Sequence, residues 1–235
     1  MRRLCSWPVE ERFRASTRVL PCSDSRPPVF SSNLSAFFLP GLIHQFGNLL
    51  LTVQGNVLHV QPDGIDDMRE SVLGAVKRGS ASLDIVRALL GDESSDVGLA
   101  PTLLSELIEL ARVPLRERGL TLTFEEEESG DAWVYSTTFV TVCANALRAW
   151  VTTLPAASDG AVRVRIGRAS DGRVKVRLDF QPAPGSLPFP LMSEKVASVL
   201  SELTREAGAS VEVNTTDDDL EIRFAVVGPM QSFQP

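Results

Sequence analysis

The fold of this chain is decided by the stretch LIHQFGNLLLTVQGN (Leu42–Asn56). Its apolar residues belong to a pattern with steps of three and four that runs over 39–57, which predicts one long helix. A turn signature follows in QPDGIDD (61–67), and a second stripe with a mean step of about 3.5 residues covers 68–90. We therefore expect a helical hairpin over residues 33–95. Two helices cannot cover both stripes, so we expect it to dimerise into a four-helix bundle.

Composition places the chain among folded proteins and narrows its partners. Of its 235 residues, 43% are hydrophobic and 23% are charged, which is ordinary for a globular protein. The formal net charge of -7 argues against a nucleic-acid partner. The longest apolar run, 34–43, is too short to cross a bilayer and contains Pro40, so we expect no membrane span. Three cysteines without a CxxC pair indicate no metal site and a reducing, cytoplasmic location.

Residues 1–32 and 230–235 are expected to be tails. The first segment carries six arginines with scattered prolines and serines, which is typical of a disordered segment. A basic docking arm or an organelle transit peptide remains an alternative for it.

Residues 96–229 alternate between helical and strand patterns. We predict helices over 101–119, 137–154 and 193–207, a strand in LTLTFEEE, a hairpin that turns at Ser170-Asp171-Gly172, and a final hairpin. This order predicts a two-layer α/β sandwich with a mixed, largely antiparallel sheet. The fold class is therefore α+β, a helical hairpin followed by a sandwich.

His44 is the candidate reactive residue of the first helix. At 100° per residue it lies about 160° from Phe46, the middle of the apolar stripe, so it is expected to point to solvent. Asn48, one turn later, shares that face. Gly41 and Gly55 are expected there too, as small residues that leave room for a partner.

With these features the chain resembles the catalytic core of bacterial two-component histidine kinases and, more closely, the histidine phosphotransferases related to them. The stretch quoted above is similar to the phosphoacceptor motif of that family, and residues 96–229 resemble its Bergerat-type ATPase domain. The resemblance implies that His44 is phosphorylated and that Asn48 orients a hydrolytic water. In the family a carboxylate follows the histidine, whereas this chain has Gln45, which accepts a hydrogen bond but supplies no charge.

The resemblance also implies where a nucleotide would bind. Asn145 matches the magnesium-binding asparagine, and Asp179 matches the aspartate of an Asp-x-Gly-x-Gly loop that binds adenine. Both glycines of that loop are replaced, by Gln181 and Ala183, and the second glycine box aligns with 194–197, which contains no glycine. Asn145 and Asp179 are therefore cofactor-binding residues only if ATP binding is retained. We expect no cofactor, with Mg²⁺ supplied by the partner receiver domain.

Three functions follow from the resemblance. The first is a homodimeric phosphorelay phosphotransferase, which passes a phosphoryl group between receiver-domain aspartates of response regulators through His44. The second is an ATP-dependent histidine kinase with a divergent nucleotide site. The third is a pseudokinase scaffold that binds two-component proteins without handling phosphate.

Overall fold

The computed structural model describes residues 31–59, 64–90, 97–127, 131–154, 159–184, 199, 201–202, 205, 211–215 and 219–227. The predicted tail up to residue 30, the tail over 230–235, the second glycine box over 194–197 and most of the helix predicted over 193–207 lie outside these residues. Val199, Ser201, Glu202 and Arg205 of that predicted helix have helical backbone.

The predicted helical hairpin is present. Helix α1 spans Ser31–His59 and helix α2 spans Ile65–Leu89. Residues 61–63 of the turn predicted over 61–67 lie outside the described residues, and its last three residues already belong to α2. Helix α1 begins two residues inside the segment predicted as a tail, and Pro40 lies within it. Near the turn, the side-chain amide of Asn56 donates to the Ser71 hydroxyl at 3.2 Å, which joins the two helices.

The described helices and strands of the sandwich follow the predicted order, with two further short strands. Its elements are β1 (Val97–Leu99), α3 (Ala100–Arg116), β2 (Leu120–Glu126), β3 (Trp133–Tyr135), α4 (Ser136–Thr153), β4 (Gly160–Arg168), β5 (Val174–Pro182), β6 (Val211–Thr215) and β7 (Asp219–Phe224). The main sheet has the order β2-β4-β5-β7-β6. Its β2-β4 pair is parallel and its other pairs are antiparallel, which confirms the prediction of a mixed, largely antiparallel sheet.

Strands β1 and β3 were not predicted. They pair antiparallel with each other, in register Gly98 to Val134, and form a separate two-stranded sheet. Each has three residues, and a period of two cannot be recognised in so short a segment.

One hydrophobic core joins the hairpin to the sandwich. Leu34 and Phe38 of α1 and Ile85 of α2 are each 1% exposed and belong to the same buried cluster as the residues of α3, α4 and the sheet. The boundary predicted between 33–95 and 96–229 therefore separates consecutive segments of the chain, while the packing across it is continuous.

The two faces of the sheet differ in character. On β5 the even-numbered residues Val176 and Leu178 line a small internal cavity with Cys143 of α4, so this face packs against the helices. The odd-numbered residues lie on the opposite face, where ion pairs cross neighbouring strands, including Arg163 with Glu125 and Arg177 with Glu221.

Helix α1 contains one segment, Leu34–Leu58, that is long and apolar enough by length and composition to cross a membrane, with a mean hydropathy of 1.4. The same helix contacts α2, α3 and α4.

Candidate functional site

His44 lies on an exposed face of α1, as predicted. Its Nε2 atom is 3.2 Å from the side-chain nitrogen of Asn48, one helical turn further along and also exposed. Residues four apart in a helix lie on the same face, so the helix itself brings these two side chains together.

The side-chain nitrogen of Asn48 faces the ring of His44 in this contact. An amide N–H group only donates, so in this geometry Nε2 of the neutral ring accepts and the ring proton resides on Nδ1. The Nε2 lone pair points at the Asn48 amide in this contact, and it becomes free to act as a nucleophile when this exposed hydrogen bond opens.

Gln45 takes a different direction from His44. It lines a groove between α1 and α2 together with Asn48, Leu49 and Thr52 of α1 and with Ala75, Arg78 and Gly79 of α2. Within the part of the chain that the structure describes, no hydrogen bond joins Gln45 to His44. Among the described residues, Asn48 is thus the hydrogen-bond partner of the ring. The presence of Arg78 in the groove was not predicted.

The prediction that Gly41 leaves room for a partner is wrong. A Cβ atom at Gly41 would collide with the backbone carbonyl of Leu110 in α3, so its small size serves packing within the chain. Gly55 differs, because a Cβ atom there would meet nothing within 4 Å.

Asp179 is engaged by an arginine. Its carboxylate accepts a hydrogen bond from Arg165 of β4 at 2.7 Å, and it lies on the sheet face opposite to α4. At this end of β5 the residue on the α4 side is Phe180, which is buried. The ring of Phe180 therefore occupies the α4 side of the sheet, where a nucleotide bound against α4 would lie.

Asn145 lies within α4 and is 1% exposed. Its amide donates to the carbonyl of Thr141 at 2.9 Å, and its Oδ1 atom is buried with no partner among the described residues. The hydroxyl of Thr141 in turn contacts the carbonyl of Ala88 in α2 at 3.4 Å. Asn145 and Asp179 consequently lie on opposite sides of the sheet, and the structure does not bring them together.

No metal-binding group of three or more His, Cys, Asp or Glu side chains occurs among the residues described. The outer sheet face instead carries a compact charge cluster around Glu221. Arg177 and Arg223 donate to the carboxylate of Glu221 at 2.6 and 2.8 Å. Burial alone would raise the pKa of Glu221, but the hydrogen bonds and charges of Arg177 and Arg223 lower it below its ordinary value.

Comparison with solved structures finds histidine kinases and a phosphotransferase. The catalytic domain of histidine kinase ThkA is 14% identical, with a TM-score of 0.41, and the match covers 55% of this chain and 94% of that domain. A bacterial phosphotransferase is 16% identical, with a TM-score of 0.36, over 82% of this chain and 95% of its own. The Acinetobacter baumannii histidine kinase AdeS is 10% identical, with a TM-score of 0.42, and the match covers 79% of this chain and 98% of the AdeS chain.

No family model matches the sequence, and no curated protein matches it. The classes of protein found among the solved structures are those that the sequence resemblance named. The architecture itself, two N-terminal helices followed by a mixed α/β sheet domain, is that of the predicted fold class.

Proposed function

We propose that this protein is a phosphorelay histidine phosphotransferase, in which His44 accepts a phosphoryl group from the aspartate of one receiver domain and returns it to another. The observation that carries the proposal is the exposed Nε2 of His44, held as an acceptor by Asn48 on a helix face open to a partner. An exposed neutral imidazole is a competent nucleophile toward phosphorus.

In the transfer, the Nε2 lone pair forms a bond to phosphorus while the bond from phosphorus to the aspartyl oxygen breaks. The aspartate leaves as a carboxylate, and the Nδ1 proton of the phosphorylated ring passes to solvent. Mg²⁺ held in the acidic site of the receiver offsets the phosphoryl charge. The reverse sequence phosphorylates the second receiver.

Asn48 has two successive roles in this scheme. Before transfer its N–H group donates to Nε2, and after this hydrogen bond has opened and the N–P bond has formed the same group can donate to a phosphoryl oxygen. It is also the residue that would orient a water molecule for dephosphorylation of a partner.

The region of Asn145 and Asp179 supports a function without ATP. Asp179 is paired with Arg165, Phe180 is on the α4 side of β5, and the glycines that would allow close backbone approach are replaced by Gln181 and Ala183. On these grounds we expect no adenine nucleotide to bind at this site.

The exposed apolar residues of the hairpin support a homodimer. Seven positions of the two predicted stripes are exposed in the single chain: Leu39, Ile43, Leu50, Val57, Val76, Leu83 and Leu90. Apolar side chains in such number mark an interface. We infer that a second copy of the chain covers these residues. Two hairpins related by a two-fold axis parallel to their helices bury the same stripes on both subunits.

The proposal is tested by the two histidines of the sequence, His44 and His59. The purified full chain is mixed with a phosphorylated receiver domain, and acid-labile label on the chain is measured. We expect His44→Gln to abolish labelling and His59→Gln to retain it. Labelling of His44→Gln at the wild-type rate would overturn the proposal. A chain that binds receivers equally well with and without His44 and accepts no label would favour the scaffold function.

A further inference from the structure

The groove beside His44 contains a single charge. Among the described residues that line it, only Arg78 of α2 is ionised, and the others are polar or apolar. The two helices meet closely at this level, because a Cβ atom at Gly79 would collide with the side chain of Leu49. Arg78 thus lines the groove that also contains Gln45 and Asn48, while its Nη1 atom lies toward Gly74.

Arg78 is not committed to an ion pair within the described part of the chain, where no carboxylate lies within 4.0 Å of it. Asp67 and Glu70 of α2 line an adjoining groove together with Arg78, and the charge of Arg78 also acts on Glu106 of α3. Burial and Glu109 raise the pKa of Glu106, and the charge of Arg78 opposes that rise. Arg78 thus has acidic residues in its surroundings but no ion pair among the described residues, and its guanidinium is free to take a new partner.

We propose that Arg78 and Asn48 form a phosphoryl-binding subsite beside His44. The inference rests on the proposed function and deepens it by naming the group that offsets the charge of the N-phosphoryl moiety. In this arrangement the Asn48 amide and the Arg78 guanidinium donate hydrogen bonds to oxygens of the same phosphoryl group.

The chemistry of arginine suits this position. Its planar guanidinium presents a fork of N–H donors that matches phosphoryl oxygens, and it remains charged at every physiological pH. The Nη1 atom of Arg78 points along α2 toward Gly74. Arg78 is exposed, so a change of rotamer at little cost brings the guanidinium to the Asn48 side of the groove. Gln45 supplies no charge to the ring of His44. In this arrangement the positive charge of Arg78 stabilises the phosphoryl group and not the ring.

The test uses the full chain and potassium phosphoramidate as the phosphoryl donor. The Nε2 atom of His44 bonds to phosphorus, the P–N bond of phosphoramidate breaks, and ammonia leaves. Phosphohistidine formation is followed by ³¹P NMR at several donor concentrations. We expect Arg78→Ala to slow formation roughly tenfold, the effect of losing one charge-assisted hydrogen bond. Arg78→Lys should restore part of the rate.

Lys77→Ala is the matched control. Lys77 is an exposed cation of the same helix but lines a different groove, with Asp66 and Leu73, so its loss changes net charge equally and leaves the subsite intact. A second readout is the ³¹P shift of phosphohistidine against pH. A neighbouring cation favours the dianionic phosphoryl group, so its pKa should be higher in Arg78→Ala than in Lys77→Ala.

Equal formation rates and equal ³¹P titrations in Arg78→Ala and Lys77→Ala would overturn the subsite while leaving His44 as the phosphoacceptor. No label on His44 in the unsubstituted protein, from either phosphoramidate or a phosphorylated receiver, would instead overturn the proposed function itself. The two failures are therefore distinct.

Discussion

Gly41 of α1 lies directly against the backbone carbonyl of Leu110 in α3. A backbone atom cannot move aside as the end of a flexible side chain can, so this contact sets the distance between the hairpin and the sandwich. The hairpin is thereby joined to the shared core at its base, whereas the level of His44, one turn further, remains open to solvent.

The first prediction concerns this contact. Gly41→Ala should destabilise the protein by about 1–3 kcal/mol, because the added methyl group forces α1 away from α3. Urea unfolding followed by circular dichroism measures the change. Gly55→Ala is the control, since it adds the same methyl group to the same helix with nothing within 4 Å. It should stabilise by up to about 1 kcal/mol through helix propensity. Equal effects of the two substitutions would contradict the close approach.

The second prediction concerns two adjacent exposed leucines of α1. Leu50 belongs to the apolar stripe, whereas Leu51 lies 100° further round, on the side expected to meet receivers with His44 and Asn48. Leu50→Glu should dissociate the dimer, and Leu51→Glu should leave it intact while weakening receiver binding. Sedimentation velocity measures the first effect and receiver titration the second.

A monomeric wild-type protein in that experiment would rule out the inferred dimer. Co-sedimentation of the wild-type chain with lipid vesicles, lost in Leu50→Glu, would assign the exposed apolar side of α1 to a membrane instead.

The third prediction concerns the outer face of the sheet. Glu221→Gln should cost about 2 kcal/mol at pH 7, because it weakens two charge-assisted hydrogen bonds from Arg177 and Arg223. The folded pKa of Glu221 is lowered from its ordinary value of 4.5, so its contribution is present above that value and is lost as pH falls through the folded pKa. The difference between variant and wild type should therefore shrink in acid.

Glu125→Gln provides the comparison on the same sheet face. Its partner Arg163 is 3.5 Å away and the Glu125 side chain is 53% exposed, so solvent screens the pair. We expect an effect within about 0.5 kcal/mol at any pH. A cost for Glu125→Gln equal to that of Glu221→Gln would show that burial does not distinguish the two carboxylates.

Much of this fold could be predicted because long elements repeat their pattern several times. Helix α1 contains about eight turns and helix α2 about seven, and the stripe on each specifies a face as well as a helix. The close approach of Gly41 to Leu110 could not be predicted, because it depends on the packing of helices far apart in sequence. The helical face of Gly41 is visible in the sequence, but the neighbour that covers it is not.

The candidate site was predicted in part for the same reason. His44 and Asn48 are four residues apart in one helix, so their contact follows from local geometry. Arg78 reaches the groove from the other helix, and its position depends on the register between α1 and α2. The side of the sheet on which Asp179 lies follows from the alternation of Val176, Leu178 and Phe180 along β5. The resemblance to the Asp-x-Gly-x-Gly loop rests on the aspartate alone and does not include this alternation.

The fourth prediction concerns the nucleotide. Titration of the purified protein with Mg-ATP by calorimetry should give no binding heat, because Asp179 is paired with Arg165 and Phe180 is buried on the α4 side of β5. Binding in the micromolar to low-millimolar range, lost in Asn145→Ala, would contradict this expectation. That result would favour the ATP-dependent kinase, with the buried Oδ1 of Asn145 as a candidate ligand for the magnesium ion.

The fifth prediction concerns the ring of His44. Asn48→Ala removes the donor to Nε2, so the ring should shift toward the tautomer that carries its proton on Nε2, and ¹⁵N chemical shifts of labelled histidine measure that shift. Phosphoryl acceptance should slow about fivefold, which corresponds to the loss of one hydrogen bond of about 1 kcal/mol. Thr52→Ala, which changes the same groove without touching the ring, serves as the control. If the tautomer moves in Asn48→Ala while the transfer rate stays at the wild-type value, Asn48 positions the ring without limiting the reaction.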